Sequence, residues 1–210
     1  MNDSKRLRIG VLGSGQGSNF EAIAQACAAG VIPAEVVVVL SDCPDAGILA
    51  RAKGRGIAGR YIPPGPFKTK LDDAAERAYV EALQGAGVEL VALAGFMRVL
   101  KSPLLGAFAG RIVNIHPSLL PSFPGLAAWR QALDYGVKVT GCTVHFVDAG
   151  VDSGPIIGQQ TVPVLEDDTP ESLHARIHAA EHELYPRCLG AIARGQVRVQ
   201  GRRVTLQTSG

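Results

Sequence analysis

The sequence contains no pair of closely spaced cysteines. Its four cysteines, Cys27, Cys43, Cys142 and Cys188, are scattered over 210 residues, and none belongs to a CxxC motif. A structural zinc site needs clustered cysteines, and a disulfide framework is typical of short, cysteine-rich secreted chains. Their absence argues against both and indicates a cytoplasmic protein with no bound metal.

The chain also lacks an excess of charge of one sign. Lys and Arg number 21 and Asp and Glu number 19, which leaves a formal net charge of +2. A field this weak does not favour a nucleic acid or an acidic membrane as partner. The one basic cluster, Arg194–Arg203, is predicted to be a solvated surface strand.

No long apolar run is present either. The longest uncharged stretch, Ile112–Trp129, contains four residues that a lipid-facing helix avoids: Asn114, His116, Pro117 and Pro121. We therefore expect no membrane-spanning segment. The first residues, Met1–Arg8, are polar and charged and predict no signal peptide.

What the sequence does contain is an alternation of apolar runs with helical patterns, which is typical of an α/β fold with a mainly parallel sheet. Its length predicts one domain, 1–210, that buries a core without disulfides or metals. The strands predicted in the first half are Arg8–Leu12, Glu35–Leu40, Gly56–Ile62, Leu90–Ala94 and Arg111–Ile115. The helices predicted between them are Ser18–Ala29, Ala46–Lys53, Asp72–Gln84 and Ser102–Phe108.

The pattern changes in the second half. A helix, Leu126–Tyr135, precedes two strands, Val139–Val147 and Ile156–Val162, whose short connection favours antiparallel pairing. Thr169 and Pro170 are residue types preferred at the N-cap and first position of a helix, and they predict the start of a long one. The sequence therefore predicts a twisted, mainly parallel sheet with antiparallel strands in the C-terminal half and helices on both faces.

A glycine-rich segment, Gly13–Asn19 (GSGQGSN), directly follows the first strand. Glycines let the backbone present its N–H groups, and the positive end of the following helix favours an anion. The segment is not a dinucleotide fingerprint, because Ser18 stands where the third glycine is needed, and it lacks the Lys of a P-loop. A phosphate site is favoured. A capping box, with Ser18 as N-cap and Glu21 three residues later, is compatible with that site.

Asn114 and His116 end the fifth strand in the sequence Asn-Ile-His-Pro. Side chains alternate along a strand, so both point to one face, and Pro117 keeps His116 extended. They sit at the carboxyl end of a strand, where open α/β sheets bind ligands. An amide and an imidazole there could stabilise an oxyanion and move a proton. A hydrogen-bonded pair that only ends the strand fits equally well.

The loop Asp148–Pro155 (DAGVDSGP) joins the two late strands. Its glycines and carboxylates are typical of a turn, and on its own that interpretation is favoured. A functional role would need one carboxylate beside an imidazole, which it would orient and hold in its charged form. The sequence alone does not bring Asp152 near His116.

Three histidines, His174, His178 and His182, recur at a spacing of four on the last predicted helix. At about 100° per residue they lie roughly 80–120° from its apolar face, so a solvated or rim position is favoured over a metal site. Glu181 falls at the edge of the apolar face, where it could reach a pocket. The apolar face consists of Leu173, Ile177, Leu184 and Cys188.

Five segments, taken in order, resemble the phosphoribosylglycinamide formyltransferase family, enzymes of purine biosynthesis that use 10-formyltetrahydrofolate. They are GSGQGSN (13–19), LAGFMRVL (93–100), IVNIHPSLLPSFPG (112–125), VHFVDAGVDSGPI (144–156) and AEHELYP (180–186). The resemblance implies a single Rossmann-like formyltransferase domain. Its nucleotide-binding half would be 1–110, and its folate-binding and catalytic half 111–210.

Matched position by position, the resemblance implies roles for individual residues. The ribonucleotide phosphate would be held by Gly17, Ser18 and Asn19, and the same substrate would be met by Lys70 and Glu181. The catalytic residues would be Asn114, His116 and Asp152, with His145 supporting them from its strand. The folate would be bound by Met97, Arg98, Val99, Leu100, Asn114, Asp148, Ala149, Gly150, Val151 and Asp152.

The chain departs from the family pattern at one point. After Pro124-Gly125 the family often has a histidine, whereas this chain reads Leu126-Ala127-Ala128-Trp129. The three catalytic positions are unaffected, but substrate contacts from that turn do not carry over.

The expected activity is formyl transfer from the co-substrate 10-formyltetrahydrofolate to the amine of 5-phosphoribosylglycinamide, by direct attack and without a metal. We expect small-molecule substrates as partners, with no nucleic acid and no membrane, and a homodimer is left open. Methionyl-tRNA formyltransferases add a nucleic-acid-binding domain, and formyltetrahydrofolate hydrolases add a regulatory domain, for which we expect no room here. The alternatives are another formyltetrahydrofolate-using enzyme of this fold, or a non-catalytic nucleotide-binding module that needs only the glycine-rich segment.

Overall fold

The structure of the chain is a computed structural model, which describes residues 6–207. It contains two compact units, the first ending at Val113 and the second beginning at Asn114. Met1–Arg8, the polar segment that predicts no signal peptide, lies mostly outside the described residues. Within the described part of the chain, no helix is long and apolar enough to cross a bilayer.

The first unit alternates strands and helices. Its elements are β1 (Leu7–Leu12), α1 (Ser18–Ala28), β2 (Ala34–Ser41), α2 (Gly47–Gly54), β3 (Ala58–Tyr61), α3 (Asp73–Gly85), β4 (Leu90–Leu93), α4 (Ser102–Ala107) and the start of β5 (Ile112–His116). β1 pairs in parallel with both β2 and β4, and β2 pairs in parallel with β3. The strand order is therefore β3-β2-β1-β4-β5.

The second unit begins within β5 and continues with antiparallel strands. Its further elements are α5 (Ala128–Tyr135), β6 (Val139–Phe146), β7 (Ile156–Pro163), α6 (Pro170–Ala193), β8 (Val197–Gln200) and β9 (Arg203–Leu206). The strand order here is β5-β6-β7, and β6 and β7 are antiparallel. The predicted α/β class, with a mainly parallel sheet and antiparallel strands in the C-terminal half, is confirmed.

Burial explains why the apolar runs of the first unit form its sheet. Ile9, Val11 and Leu12 of β1 are completely buried, as are Val39 and Leu40 at the end of β2. Side chains buried on both faces of a strand are typical of parallel sheets. β3 is the exception, since all four of its residues are exposed at the edge of the sheet.

Helix α6 follows its sequence signals closely. The Thr169 hydroxyl accepts a hydrogen bond from the Ser172 amide at 3.2 Å, and the Ser172 hydroxyl accepts one from the Thr169 amide at 2.9 Å. This reciprocal capping box satisfies amides that a helix N-terminus otherwise leaves unpaired. The predicted apolar face is buried at all four of its positions.

The basic cluster near the C-terminus forms a hairpin. β8 and β9 pair antiparallel as a two-stranded sheet, with Gln200 opposite Arg203. Arg194, Arg198 and Arg203 are exposed, in agreement with a solvated surface strand. The second strand of the hairpin, β9, was not predicted from the sequence.

Candidate active site

The carboxyl end of β5 carries the first two candidate residues. β5 is Ile112–His116, one residue later than predicted, so His116 is its last residue. Asn114 is half-buried, and His116 is only 5% exposed. The chain turns directly afterwards, because the Ser118 amide donates to the His116 carbonyl at 2.9 Å.

His145 lies on β6, the strand next to β5, and fixes the orientation of Asn114. Its Nδ1 is 2.8 Å from the Phe146 carbonyl, which only accepts, so Nδ1 carries the proton and Nε2 has a free lone pair. Nδ2 of Asn114 lies 3.2 Å from that Nε2 and donates to it. Burial lowers the pKa of His145, which keeps the ring neutral and able to accept.

A register shift in the β6–β7 ladder accompanies this placement. The shift falls between Val144 and His145. Such bulges re-aim a side chain and are frequent next to active sites.

The segment after β5 holds His116 through a main-chain group. Nε2 of His116 lies 2.9 Å from the Phe123 carbonyl, so this nitrogen carries a proton and donates it. The Ser118 hydroxyl steadies the turn by donating to the Ser122 carbonyl at 2.6 Å. Phe123 has a φ of 53°, a left-handed conformation that non-glycine residues rarely adopt.

Asp152 reaches the other side of the His116 ring. Its Oδ2 lies 3.4 Å from Nδ1 of His116 and accepts a hydrogen bond from the Gly125 amide at 2.8 Å. Its Oδ1 lies 3.8 Å from Nε2 of His145. Asp152 has a φ of 50°, and strain of this kind clusters at functional sites. The structure thus brings together the carboxylate and the imidazole that the sequence left 36 positions apart.

The remainder of the 148–152 loop is an exposed turn. The Asp148 carboxylate accepts hydrogen bonds from the Gly150 amide at 3.0 Å and from the Ser153 hydroxyl at 2.6 Å. Ala149, Gly150 and Val151 are exposed. The turn interpretation is therefore correct for Asp148, and it coexists with the contact between Asp152 and His116.

In the first unit, the predicted capping box of the glycine-rich segment is wrong. The N-cap of α1 is Gly17, in a left-handed conformation with a φ of 79°, and no side chain caps the helix. A Cβ at Gly17 would lie 2.8 Å from Ile48, so the close approach of α2 requires glycine there. Ser18 is the first helical residue, and Glu21 forms an ion pair with Arg55 instead.

This arrangement favours an anion at the start of α1. The amides of Gly13 and Ser14 are used within the fold, by the carbonyls of Leu40 and Gly95. The N-cap residue of α1, Gly17, provides no side-chain hydrogen bond to the helix. A helix N-terminus without a side-chain cap suits a phosphate, which is what we expect of Gly17, Ser18 and Asn19.

The candidate folate segment 97–100 is joined to the segment that carries Lys70. Val99 donates to the Thr69 carbonyl at 2.9 Å, and Val99 and Lys70 form a parallel bridge. Met97 and Val99 are exposed, whereas Leu100 is buried. The Lys70 ammonium lies 4.2 Å above the Phe67 ring, and its pKa is lowered by Lys101.

The side chain of Arg98 makes structural contacts. Its Nε lies 2.6 Å from Oδ2 of the buried Asp42, and its Nη1 donates to the carbonyls of Phe67 and Lys68. The resemblance placed Arg98 in the folate segment. Its guanidinium is held by Asp42 and two main-chain carbonyls, and its part in folate binding stays a prediction.

Glu181 and the three histidines lie together on α6. Glu181 is 3% exposed, and its Oε2 is 3.9 Å from Nε2 of His178. The rings of His174 and His178 have centroids 4.0 Å apart, and those of His178 and His182 6.2 Å apart. The histidines are half-buried, which fits the rim position but not the solvated one among the two predicted. Among residues 6–207, no group of three or more His, Cys, Asp or Glu side chains is placed to hold a metal ion.

Trp129, part of the departure from the family pattern, packs on this row. Its ring stacks on His174 with centroids 3.6 Å apart and planes 10° from parallel. Burial, and the neighbouring His178, lower the pKa of His174 to about 4. Burial also lowers the pKa values of His178 and His182.

Three groups in this region were not predicted from the sequence: the Phe123 carbonyl, the Gly125 amide and the packing of Trp129. The Phe123 carbonyl and the Gly125 amide hold His116 and Asp152 through main-chain atoms, which no side-chain pattern reveals. The sequence marks Trp129 only as a departure from the family pattern, although aromatic side chains often pack against another ring.

Comparison with known proteins decides the family. A sequence model described as formyl transferase matches residues 7–189. Phosphoribosylglycinamide formyltransferase of Bacillus subtilis is 45% identical over 179 residues, which cover 85% of this chain and 91% of that protein. This chain belongs to the phosphoribosylglycinamide formyltransferase family.

Solved structures and longer relatives of the family agree. Glycinamide ribonucleotide transformylase 1 of Symbiobacterium toebii is 51% identical with a TM-score of 0.94, covering 98% of this chain and 96% of that one. The trifunctional purine biosynthetic protein adenosine-3 of Drosophila melanogaster is 46% identical over 197 residues, 93% of this chain. The chain spans only 14% of that relative's length.

Proposed function

We propose that this chain transfers the formyl group of 10-formyltetrahydrofolate to the amine of 5-phosphoribosylglycinamide, a step of purine biosynthesis. Family membership supports the reaction. The observation that supports its mechanism is that Asn114 and His116 each have a fixed partner, His145 and Asp152 respectively. Pre-oriented donors of this kind are what an oxyanion-stabilising site requires.

The first step is attack of the free amine on the formyl carbon. A new C–N bond forms, the C=O electrons move onto oxygen, and the carbon becomes tetrahedral. Asn114 donates one N–H of its amide to His145, which leaves the other for the oxyanion. His116 faces two acceptors, the Asp152 carboxylate and the Phe123 carbonyl, which hold its ring in place.

The second step is collapse of the tetrahedral carbon. The bond from carbon to N10 breaks, and N10 takes a proton from the His116 imidazolium. The attacking nitrogen then returns its surplus proton to the imidazole. Atoms and charges balance, so the steps need neither a covalent enzyme intermediate nor a metal.

Binding is assigned to two further groups of residues. Gly17, Ser18 and Asn19 hold the ribonucleotide phosphate, and Lys70 and Glu181 meet the same substrate. The folate contacts the 97–100 segment and the 148–152 loop. Both are small molecules.

Release of tetrahydrofolate tests the proposal. The purified chain is supplied with 10-formyltetrahydrofolate and phosphoribosylglycinamide, together and separately. Release that requires both substrates supports formyl transfer. Release from the folate alone would indicate a hydrolase, and phosphate binding without any release would indicate a non-catalytic nucleotide-binding module.

A further inference from the structure

We propose that Gln159, an exposed residue of β7, positions the His116 imidazole by holding the main chain of residues 118–120. The inference rests on the proposed function, in which His116 moves a proton. It assigns a role to a residue that lies two strands away from β5 in the order β5-β6-β7. Gln159 acts through other groups and is therefore a positioning residue.

The Thr143 hydroxyl on β6 joins the two ends of the 118–120 segment. The residue is completely buried. Its hydroxyl donates to the Ser118 carbonyl at 2.6 Å and accepts from the Leu120 amide at 3.0 Å. It also accepts from Nε2 of Gln159 at 3.0 Å. A hydroxyl has one donor and two acceptor sites, so all three sites of Thr143 are used.

Gln159 completes this network from the opposite strand. It lies directly opposite Thr143 in the β6–β7 ladder, and its Nε2 also donates to the Leu120 carbonyl at 2.9 Å. The amide nitrogen has two hydrogens, and each has an acceptor. Gln159 thus holds the Leu120 peptide directly. It also fixes the Thr143 hydroxyl, because the lone pair turned toward Gln159 leaves the hydroxyl proton for Ser118.

The 118–120 segment is coupled to His116 at two points. The Ser118 amide donates to the His116 carbonyl at 2.9 Å, which ties the segment to the end of β5. The Ser118 hydroxyl donates to the Ser122 carbonyl at 2.6 Å. The next carbonyl, that of Phe123, accepts from Nε2 of His116. A shift of residues 118–120 therefore moves both the backbone of His116 and the acceptor of its ring.

Such a shift affects the rate more than binding. Misplacing a catalytic group by about 1 Å can cost roughly 10²-fold in rate. The contacts of His116 with Asp152 and Phe123 do not involve the Gln159 side chain, so they limit the shift when Gln159 is changed. We therefore expect a partial loss of kcat, with little change in KM for either substrate.

The experiment compares Gln159→Leu with Gln160→Leu. Gln160 is the next residue of β7, and its Nε2 donates at 3.1 Å to Glu183 of α6. Both changes remove a hydrogen-bonded amide from the same strand, but only the first releases Leu120. We expect Gln159→Leu to lower kcat on the order of tenfold, as is typical when a supporting partner is lost, and Gln160→Leu to behave as wild type.

Two further variants identify the missing group. Gln159→Glu keeps the shape of the side chain, but an ionised carboxylate only accepts hydrogen bonds, so this variant should lose as much kcat as Gln159→Leu. Thr143→Ser keeps the hydroxyl of the network and should keep most of the rate. Melting temperatures of all variants verify that they fold.

A double-mutant cycle on kcat separates positioning of His116 from a general effect on the fold. If Gln159 acts through His116, then Gln159→Leu should lower kcat much less in a His116→Ala chain than in the wild-type chain. A structural role would lower kcat by the same factor in both.

Three outcomes would overturn the inference. They are a wild-type kcat for Gln159→Leu, an equal loss in the wild-type and His116→Ala chains, and a raised KM with an unchanged kcat. Each of these results, obtained with a wild-type chain that turns over both substrates, rejects the positioning role and leaves the proposed function standing. A wild-type chain that does not turn over both substrates rejects the proposed function, and the positioning role with it.

Discussion

Nε2 of His145 accepts a hydrogen bond from the Asn114 amide at 3.2 Å, because Nδ1 of the same ring donates to the Phe146 carbonyl. A main-chain oxygen thus selects the tautomer of a buried histidine, and that tautomer selects which end of the Asn114 amide faces it. The orientation of Asn114, a proposed catalytic group, is therefore set by a residue on the neighbouring strand.

His145 can be tested with a matched pair of variants. His145→Gln keeps an acceptor near the position of Nε2, whereas His145→Leu removes it. We expect the Leu variant to lose roughly 10²-fold in kcat, comparable to losing one oxyanion donor, and the Gln variant to lose much less. KM values should change little for either. Equal losses in the two variants would show that His145 only fills space.

Asp152→Asn should lower kcat by roughly 10²–10⁴-fold and leave KM nearly unchanged, because the lost interaction matters mainly in the transition state. Steady-state kinetics measure both constants. Asp134→Asn, on the exposed surface of α5, is the matched control and should be silent. Near-normal turnover of Asp152→Asn would remove this carboxylate from the mechanism.

The coupling of Asp152 to His116 predicts a non-additive double mutant. His116→Ala should be as harmful as Asp152→Asn, and the combined variant little worse than either one, since residues that act as a unit do not contribute independently. A double-mutant cycle on kcat gives the coupling. Multiplicative losses would contradict the paired mechanism.

The proposed phosphate site is best probed at Gly15, because Gly17 cannot carry a side chain without meeting Ile48. A Cβ at Gly15 has no atom within 4 Å, so Gly15→Val should fold normally. We expect it to raise KM for the ribonucleotide on the order of tenfold, or about 1.4 kcal/mol, with little change for the folate. Equal weakening of both substrates would count against a phosphate at this loop.

Stability should fall as pH is lowered from about 6.5 to 4, the range that separates the ordinary pKa of a histidine from that of His174. In that range the unfolded chain binds a proton that the folded chain does not, so protonation favours unfolding. His174→Phe keeps a ring against Trp129 and removes the titration. Urea unfolding at pH 7.5 and 5.0 should show a smaller loss for the variant, by on the order of 1 kcal/mol after allowing for solvent screening. An unchanged pH dependence would contradict this assignment.

Dialysis against a chelator should leave formyl transfer unchanged, because the proposed steps use only an amide, an imidazole and a carboxylate. Activity is measured before and after dialysis. Loss of activity that zinc restores would contradict the proposed mechanism.

The elements of the fold that the sequence predicts best are those whose boundaries depend on neighbouring residues in the chain. Thr169 and Pro170 correctly predicted the start of α6, because capping depends on a few neighbouring residues. Ser18 was assigned wrongly as an N-cap by the same logic. The packing of α2 against Gly17, which residue types do not reveal, decides where α1 begins.

The candidate site shows a similar division. Pro117 and the alternation of side chains correctly placed Asn114 and His116 at the end of β5. The approach of Asp152 to His116 depends on the path of a loop and on the Gly125 amide, and no spacing rule encodes these. The contact between Trp129 and His174 likewise depends on the packing of α5 against α6, which the sequence does not show.

The turn after β5 holds the His116–Asp152 pair through two main-chain groups. The Phe123 carbonyl accepts a hydrogen bond from His116, and the Gly125 amide donates one to Asp152. Substitution scanning of residues 122–126 should thus find most positions tolerant, Gly125 with its φ of 83° being the exception. Deleting or inserting one residue there would displace both contacts at once. In this turn, the number of residues should therefore matter more to the site than the identity of their side chains.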